Sequence, residues 1–87
     1  MSTFLLQSRY MKRVVRGYEK NGDRLMHEFL LKDASLSELQ DLFEEPRQHL
    51  MVDSYPIANI HSAYFQQHLK VVLDFDQFDY FLECDAV

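Results

Sequence analysis

The last fourteen residues, Asp74-Phe75-Asp76-Gln77-Phe78-Asp79-Tyr80-Phe81-Leu82-Glu83-Cys84-Asp85-Ala86-Val87, interleave carboxylates with aromatic rings. Such a run could chelate a cation, supply an acid and a base, or grip a basic protein. Chelation is disfavoured: Asp74, Asp76 and Asp79 offer oxygen ligands but lack the glycine turn and distal Glu of a calcium loop. His27, His49, His61 and His68 show no metal-ligand spacing. His61 and His68 on one helix would stand about 10 Å apart by helical rise. No metal and no cofactor is expected.

A hydrolase would use His49 or His61 with Asp53, or Cys84 with a histidine. No nucleophile elbow, Gly-rich loop or zinc motif accompanies them, so no enzyme activity is expected. Gripping a partner remains. Aromatic rings amid charge are the usual composition of interface anchors. Asp74, Asp76, Asp79, Phe81, Glu83 and Asp85 are the first contact candidates, with Glu44, Glu45 and Asp53 second. The plainer reading is a solvated edge strand kept soluble by its charge.

Charge is divided along the chain. Residues 1–32 carry seven of the nine Lys and Arg against three acids, net +4, and residues 33–87 carry two against eleven, net −9. Overall negative charge repels nucleic acid, and the stripe Lys12, Arg13, Arg16, Lys20 and Arg24 has only Tyr18 interleaved as a stacking platform. A solvated hairpin face or an intramolecular match to the acidic end accounts for that stripe better than a nucleic-acid interface does.

At 87 residues with 47% hydrophobic side chains, the chain has room for one domain with one core. Its single cysteine, Cys84, allows no internal disulfide and suits a reducing cytosol. Apolar runs are far shorter than the ~18 residues that span a bilayer, and Phe4-Leu5-Leu6 is too short for a signal peptide. A cytoplasmic protein without membrane contact is expected, with residues 1–10 an N-terminal extension and 11–87 the domain.

The elements that would position these residues follow from local pattern. Val14–Glu19 and Leu25–Leu31 read as a hairpin about Asn21-Gly22, a type I′ turn signal. Alternation puts Leu25, His27, Phe29 and Leu31 on one face and Met26, Glu28, Leu30 and Lys32 on the other. Ser35-Leu36-Ser37-Glu38 is a capping box opening a helix whose apolar stripe is Leu36, Leu39, Leu42 and Phe43, with Pro46 as its stop. Tyr55-Pro56-Ile57 sets the approach to a second helix over 58–69, ended by Val71-Val72. A final strand over 79–84 turns Tyr80, Leu82 and Cys84 inward and Asp79, Phe81, Glu83 and Asp85 outward. The fold class expected is α+β: a small antiparallel sheet, from the N-terminal β-hairpin plus the C-terminal strand, packed against two helices.

Over residues 12–84 the chain resembles the immunity proteins of contact-dependent growth inhibition, the CdiI type. The hairpin Arg13–Asp23, the Leu-Ser-Glu-Leu-Gln-Asp-Leu-Phe helix at 36–43, Asp53-Ser54-Tyr55-Pro56-Ile57 and the ending Leu73-Asp74 … Phe78-Asp79-Tyr80-Phe81-Leu82-Glu83-Cys84 carry the resemblance. It implies a cytosolic, non-catalytic partner of a CdiA-type C-terminal toxin domain, bound as a heterodimer. Such toxins are often RNA-cleaving nucleases with basic active sites, which the acidic ending would occlude. Ala58-Asn59 stands where a Thr or Asp cap would follow Tyr-Pro-Ile. Apart from the resemblance, a generic protein-binding module, homodimeric through an exposed strand, fits the same residues.

Overall fold

The computed structural model describes residues 11–86; the proposed extension over 1–10 lies outside the described residues. Four strands form one antiparallel sheet: β1 (Met11–Glu19), β2 (Leu25–Leu31), β3 (Tyr55–Ile57) and β4 (Phe78–Ala86). Their order across the sheet is β2-β1-β4-β3. Two helices, α1 (Leu36–Leu42) and α2 (Ser62–Leu69), join them, with a 3-10 turn over Asn59–His61 leading into α2. The α+β class holds as expected from sequence.

The inward face carries Val15, Leu31, Ile57, Tyr80 and Leu82, which pack with Leu39, Phe65, Met51 and Leu73. Period-two alternation makes this arrangement. Every β1 residue from Met11 to Glu19 pairs with β4 in unbroken register, Val15 against Leu82 and Gly17 against Tyr80. Odd residues of β1 therefore meet even residues of β4 on the covered face.

The hairpin forms, but its turn differs from the expected one. Neither Gly17 nor Gly22 has positive φ; Asp23 does, at 56°. The loop closes by Glu19 N donating to Arg24 O at 2.9 Å. At Gly22 a Cβ would meet only the Glu19 side chain, its Oε2 at 2.7 Å, which can move aside. Register also slips between Gly17 and Tyr18, so Leu25 pairs with Tyr18 rather than continuing the His27 face. Leu25 is consequently exposed, not part of the inward row expected of it.

The capping box of α1 is present: Ser35 Oγ accepts from Glu38 N at 3.1 Å and the Glu38 carboxylate receives Ser35 N. Pro46 is not what stops the helix. Glu44 turns left-handed at φ 58°, Glu45 N reaches back to Gln40 O at 2.8 Å and Glu44 N to Asp41 O at 3.3 Å. That is a Schellman ending, here without the usual glycine.

Tyr55-Pro56-Ile57 is the edge strand β3, paired to Leu82, Phe81 and Tyr80, rather than only an approach to the second helix. Pro56 fits because an edge strand has one side that needs no donor. The expected helix over 58–69 divides into the 3-10 turn and α2, since Ala58 has no side-chain cap to offer. His61 makes the reciprocal half of a capping box: its Nδ1 accepts from Ala58 N at 3.0 Å. α2 ends at Leu69, before Val71-Val72, with Lys70 left-handed at φ 60°.

The uncovered sheet face as a candidate protein-binding site

One side of the sheet packs against the helices; among the described residues no helix or strand covers the other. On the other, β1 presents Lys12, Val14, Arg16 and Tyr18 opposite Asp85, Glu83, Phe81 and Asp79 of β4. Glu28 and Leu30 of β2 flank β1, and Pro56 flanks β4. The outward row Asp79, Phe81, Glu83, Asp85 stands as the alternation predicts.

Arg16 organises this face. Its Nε donates to Glu28 at 2.7 Å, and its Nη1 donates to Glu83 at 3.0 Å and to Asp85 at 2.9 Å. Glu83 is further held by the Tyr18 hydroxyl and by Ser54 Oγ, each at 3.0 Å. Lys20 pairs with Asp79 at 2.9 Å. The Arg16 side chain is only 17% exposed and that of Glu83 21%, so this network is screened less than a surface pair.

Asp85, then Glu28, stabilise the Arg16 guanidinium above its ordinary range. Arg16 in turn holds the Asp85 carboxyl below the usual carboxylate value. Burial, and then the Glu83 carboxylate, push the Tyr18 phenol up.

The intramolecular match between the basic stripe and the acidic end is therefore real at Arg16 and Lys20. It is incomplete. Arg16 faces three carboxylates, Glu28, Glu83 and Asp85, and Lys12 stands opposite Asp85 on the same face, which leaves the cluster one negative charge in excess. Beside it the Tyr18 and Phe81 rings meet edge to face at 5.8 Å. They line a shallow open hollow with Asp23, Ser54, Asp79 and Glu83. Arg13 does not belong to this face: its guanidinium donates to Leu50 O at 2.7 Å and to Met51 O, tying down the loop before β3.

The remaining contact candidates lie elsewhere. Asp74 and Asp76 sit in the turn before β4, where Asp74 Oδ1 accepts from Asp76 N at 3.1 Å and Asp74 O from Phe78 N at 3.0 Å. Asp74's first task is thus to shape that turn. Glu44 and Glu45 end α1 in the helical layer, Glu45 3.8 Å from His49. Asp53 is exposed next to Ser54 at the β3 side of the face. The structure therefore joins Asp79, Phe81, Glu83 and Asp85 and separates Asp74, Asp76, Glu44 and Glu45 from them.

Sequence reasoning missed Tyr18 and Ser54 as members of the face. Tyr18 was legible, two residues after Arg16 on an alternating strand. Ser54 was not, because only the pairing of β3 with β4 brings it to Glu83.

The histidines have local work. His49 Nδ1 accepts from Met51 N at 3.1 Å and lies 3.2 Å from the Tyr55 hydroxyl. His61 caps its turn against Phe43, ring centres 4.4 Å apart, and burial lowers its pKa. His27 sits among Phe29, Phe78 and Tyr80. Among the described residues no three His, Cys, Asp or Glu side chains are placed to hold a metal ion. Cys84 is half-buried. Among the described residues no helix is long and apolar enough to cross a membrane.

Residues 12–83 match the profile of a family described as a domain of unknown function, DUF7683. No curated protein and no solved structure matches the chain.

Proposed function

We propose, for a chain that belongs to the DUF7683 family, a binding role: the uncovered sheet face receives a basic protein partner. The observation that carries this reading is the Arg16 cluster. Its three carboxylates outnumber its two cations, Arg16 and Lys12, beside the Tyr18–Phe81 pair. A partner's Arg or Lys would find unspent negative charge and two ring edges or faces in one hollow. The network also fixes the rotamers of Arg16, Glu83 and Tyr18 before binding, which lowers the ordering cost of association.

The partner class follows from the resemblance of residues 12–84 to contact-dependent growth inhibition immunity proteins. On that reading the chain is an immunity protein. It holds a cognate CdiA-type toxin domain in a cytoplasmic heterodimer and covers its basic active site or substrate surface, with no chemistry of its own. A nuclease domain suits the charge, since its substrate is itself an anion. The alternative, a generic bacterial protein-binding module, uses the same face with a different partner.

Co-expression with the toxic domain encoded immediately upstream of the gene tests the proposal. Restored growth with a one-to-one complex is the expected result. Continued killing, with the chain folded and expressed, would remove the immunity reading and leave the generic module.

A further inference from the structure

The two edges of the sheet are built differently. β3 is three residues long and carries Pro56, both of which discourage a further strand from pairing. β2 is seven residues long, has no proline, and no described residue pairs with its outer side. Leu30, near the C-terminal end of β2, is 47% exposed. An unpaired edge of this kind is a template for strand addition.

We propose that a second copy of this chain occupies that edge, antiparallel to β2, with Leu30 at the two-fold axis. Charge selects this register. Centring the pair on Leu30 pairs residues 28–32 of each copy, the C-terminal part of β2 and the residue after it, and sets Glu28 opposite Lys32 of the second copy, twice by symmetry, and Phe29 opposite Leu31. Centring it on Glu28 would set that carboxylate against its own copy, and centring it on Phe29 would pair Glu28 with Leu30. A shift by one residue would put the helical layer of one copy on the other's uncovered side, exposing one apolar face.

The axis then stands perpendicular to an eight-stranded sheet. Both helical layers lie on one side and both Arg16 clusters on the other, and Glu28 belongs both to the pairing and to the cluster. Lys32 is exposed and follows β2 directly, and no described residue bonds its amine. Glu28 is already oriented by Arg16.

The test is sedimentation of the full chain from about 1 μM to about 1 mM, with circular dichroism to confirm each variant's fold. The wild type is expected to dimerise. Lys32→Glu and Leu30→Lys, both at exposed positions, are expected to raise the dimer Kd roughly tenfold or more, because each places like charges opposite one another at the interface. Glu28→Lys combined with Lys32→Glu is expected to recover affinity over Lys32→Glu alone. A wild type that stays monomeric throughout would overturn the proposal, whether or not another protein's strand pairs with β2. So would a dimer indifferent to both single variants. A folded double variant no tighter than Lys32→Glu would overturn the register.

Discussion

Gly17 and Tyr80 face each other across β1 and β4 so closely that the tyrosine ring fills the place of a side chain. A Cβ on Gly17 would lie 2.7 Å from Tyr80 Cε1 and 3.3 Å from His27 Nδ1. Gly17 is buried at φ below zero, so space rather than backbone freedom requires glycine here. The same contact fixes Tyr80, whose hydroxyl accepts from Asp74 N at 3.3 Å and so ties the turn before β4 to the sheet.

Gly17→Ala should therefore destabilise the fold by about 1–3 kcal/mol through overpacking, despite alanine's better backbone entropy. A thermal melt should show a midpoint lowered by roughly 4–8 °C per kcal/mol in a chain this size. An unchanged midpoint would mean that Tyr80 swings aside without cost.

Arg16→Ala should cost about 1–3 kcal/mol, since it leaves three carboxylates clustered on a partly shielded face without their donor. Arg16→Lys should recover only part of this, because an ammonium cannot present the guanidinium's fixed fork of donors. Denaturant unfolding of the three proteins reads the order directly: wild type, then Lys, then Ala.

Stability should fall as the solution is acidified through the histidine range. The His61 pKa is lowered by burial, and its Nδ1 must be unprotonated to accept from Ala58 N. A depressed folded-state pKa gives a contribution that is fully present above the unfolded value, about 6.5, and lost as pH falls through the folded one. Melts between about pH 7 and pH 5 should show this slope in the wild type and a smaller one in His61→Ala. Equal slopes would place the loss elsewhere. Asp85, held down by Arg16, adds a second decline at lower pH by the same sign.

Gln40 is buried and its amide donates to Arg47 O at 2.9 Å and His49 O at 2.7 Å. Gln40→Leu keeps the volume but leaves those two carbonyls without their donor, at a cost of about 1–3 kcal/mol. Chemical denaturation should show the loss, and hydrogen exchange should rise over residues 44–51 before it rises in the sheet.

The extent to which the sequence revealed this arrangement depended on whether a feature was local. Alternation in 79–84 and the Ser35–Glu38 box are short-range patterns; the box stands as read and the strand extends to Phe78–Ala86. The Asn21-Gly22 signal misplaced the turn's left-handed residue, which is Asp23 rather than Gly22. The ending of α1 was assigned to Pro46 because a left-handed glutamate leaves no compositional mark. β3 was read as a connection since three residues with a central proline look like one until β4 lies beside them. For the face, the row from Asp79 to Asp85 was legible. Its partial neutralisation was foreseen in kind but not in place, because only the β1–β4 register decides which base meets which acid. Asp74 and Asp76, close in sequence to that row, precede the strand and were grouped with it by proximity alone.

If steering draws a basic partner to this face, association should slow as ionic strength rises while dissociation changes less. Surface-based kinetics at two salt concentrations would show it, and a rate indifferent to salt would point to an apolar interface instead.

The most direct test of the uncovered face as the partner surface is the affinity of Phe81→Lys for the proposed toxin partner, compared with the wild type and with Gln67→Lys on the exposed side of α2. Phe81→Lys, confirmed folded, is expected to lose at least about tenfold in affinity, with Gln67→Lys unchanged. A folded Phe81→Lys that binds as tightly as the wild type, or a loss confined to Gln67→Lys, would contradict the assignment.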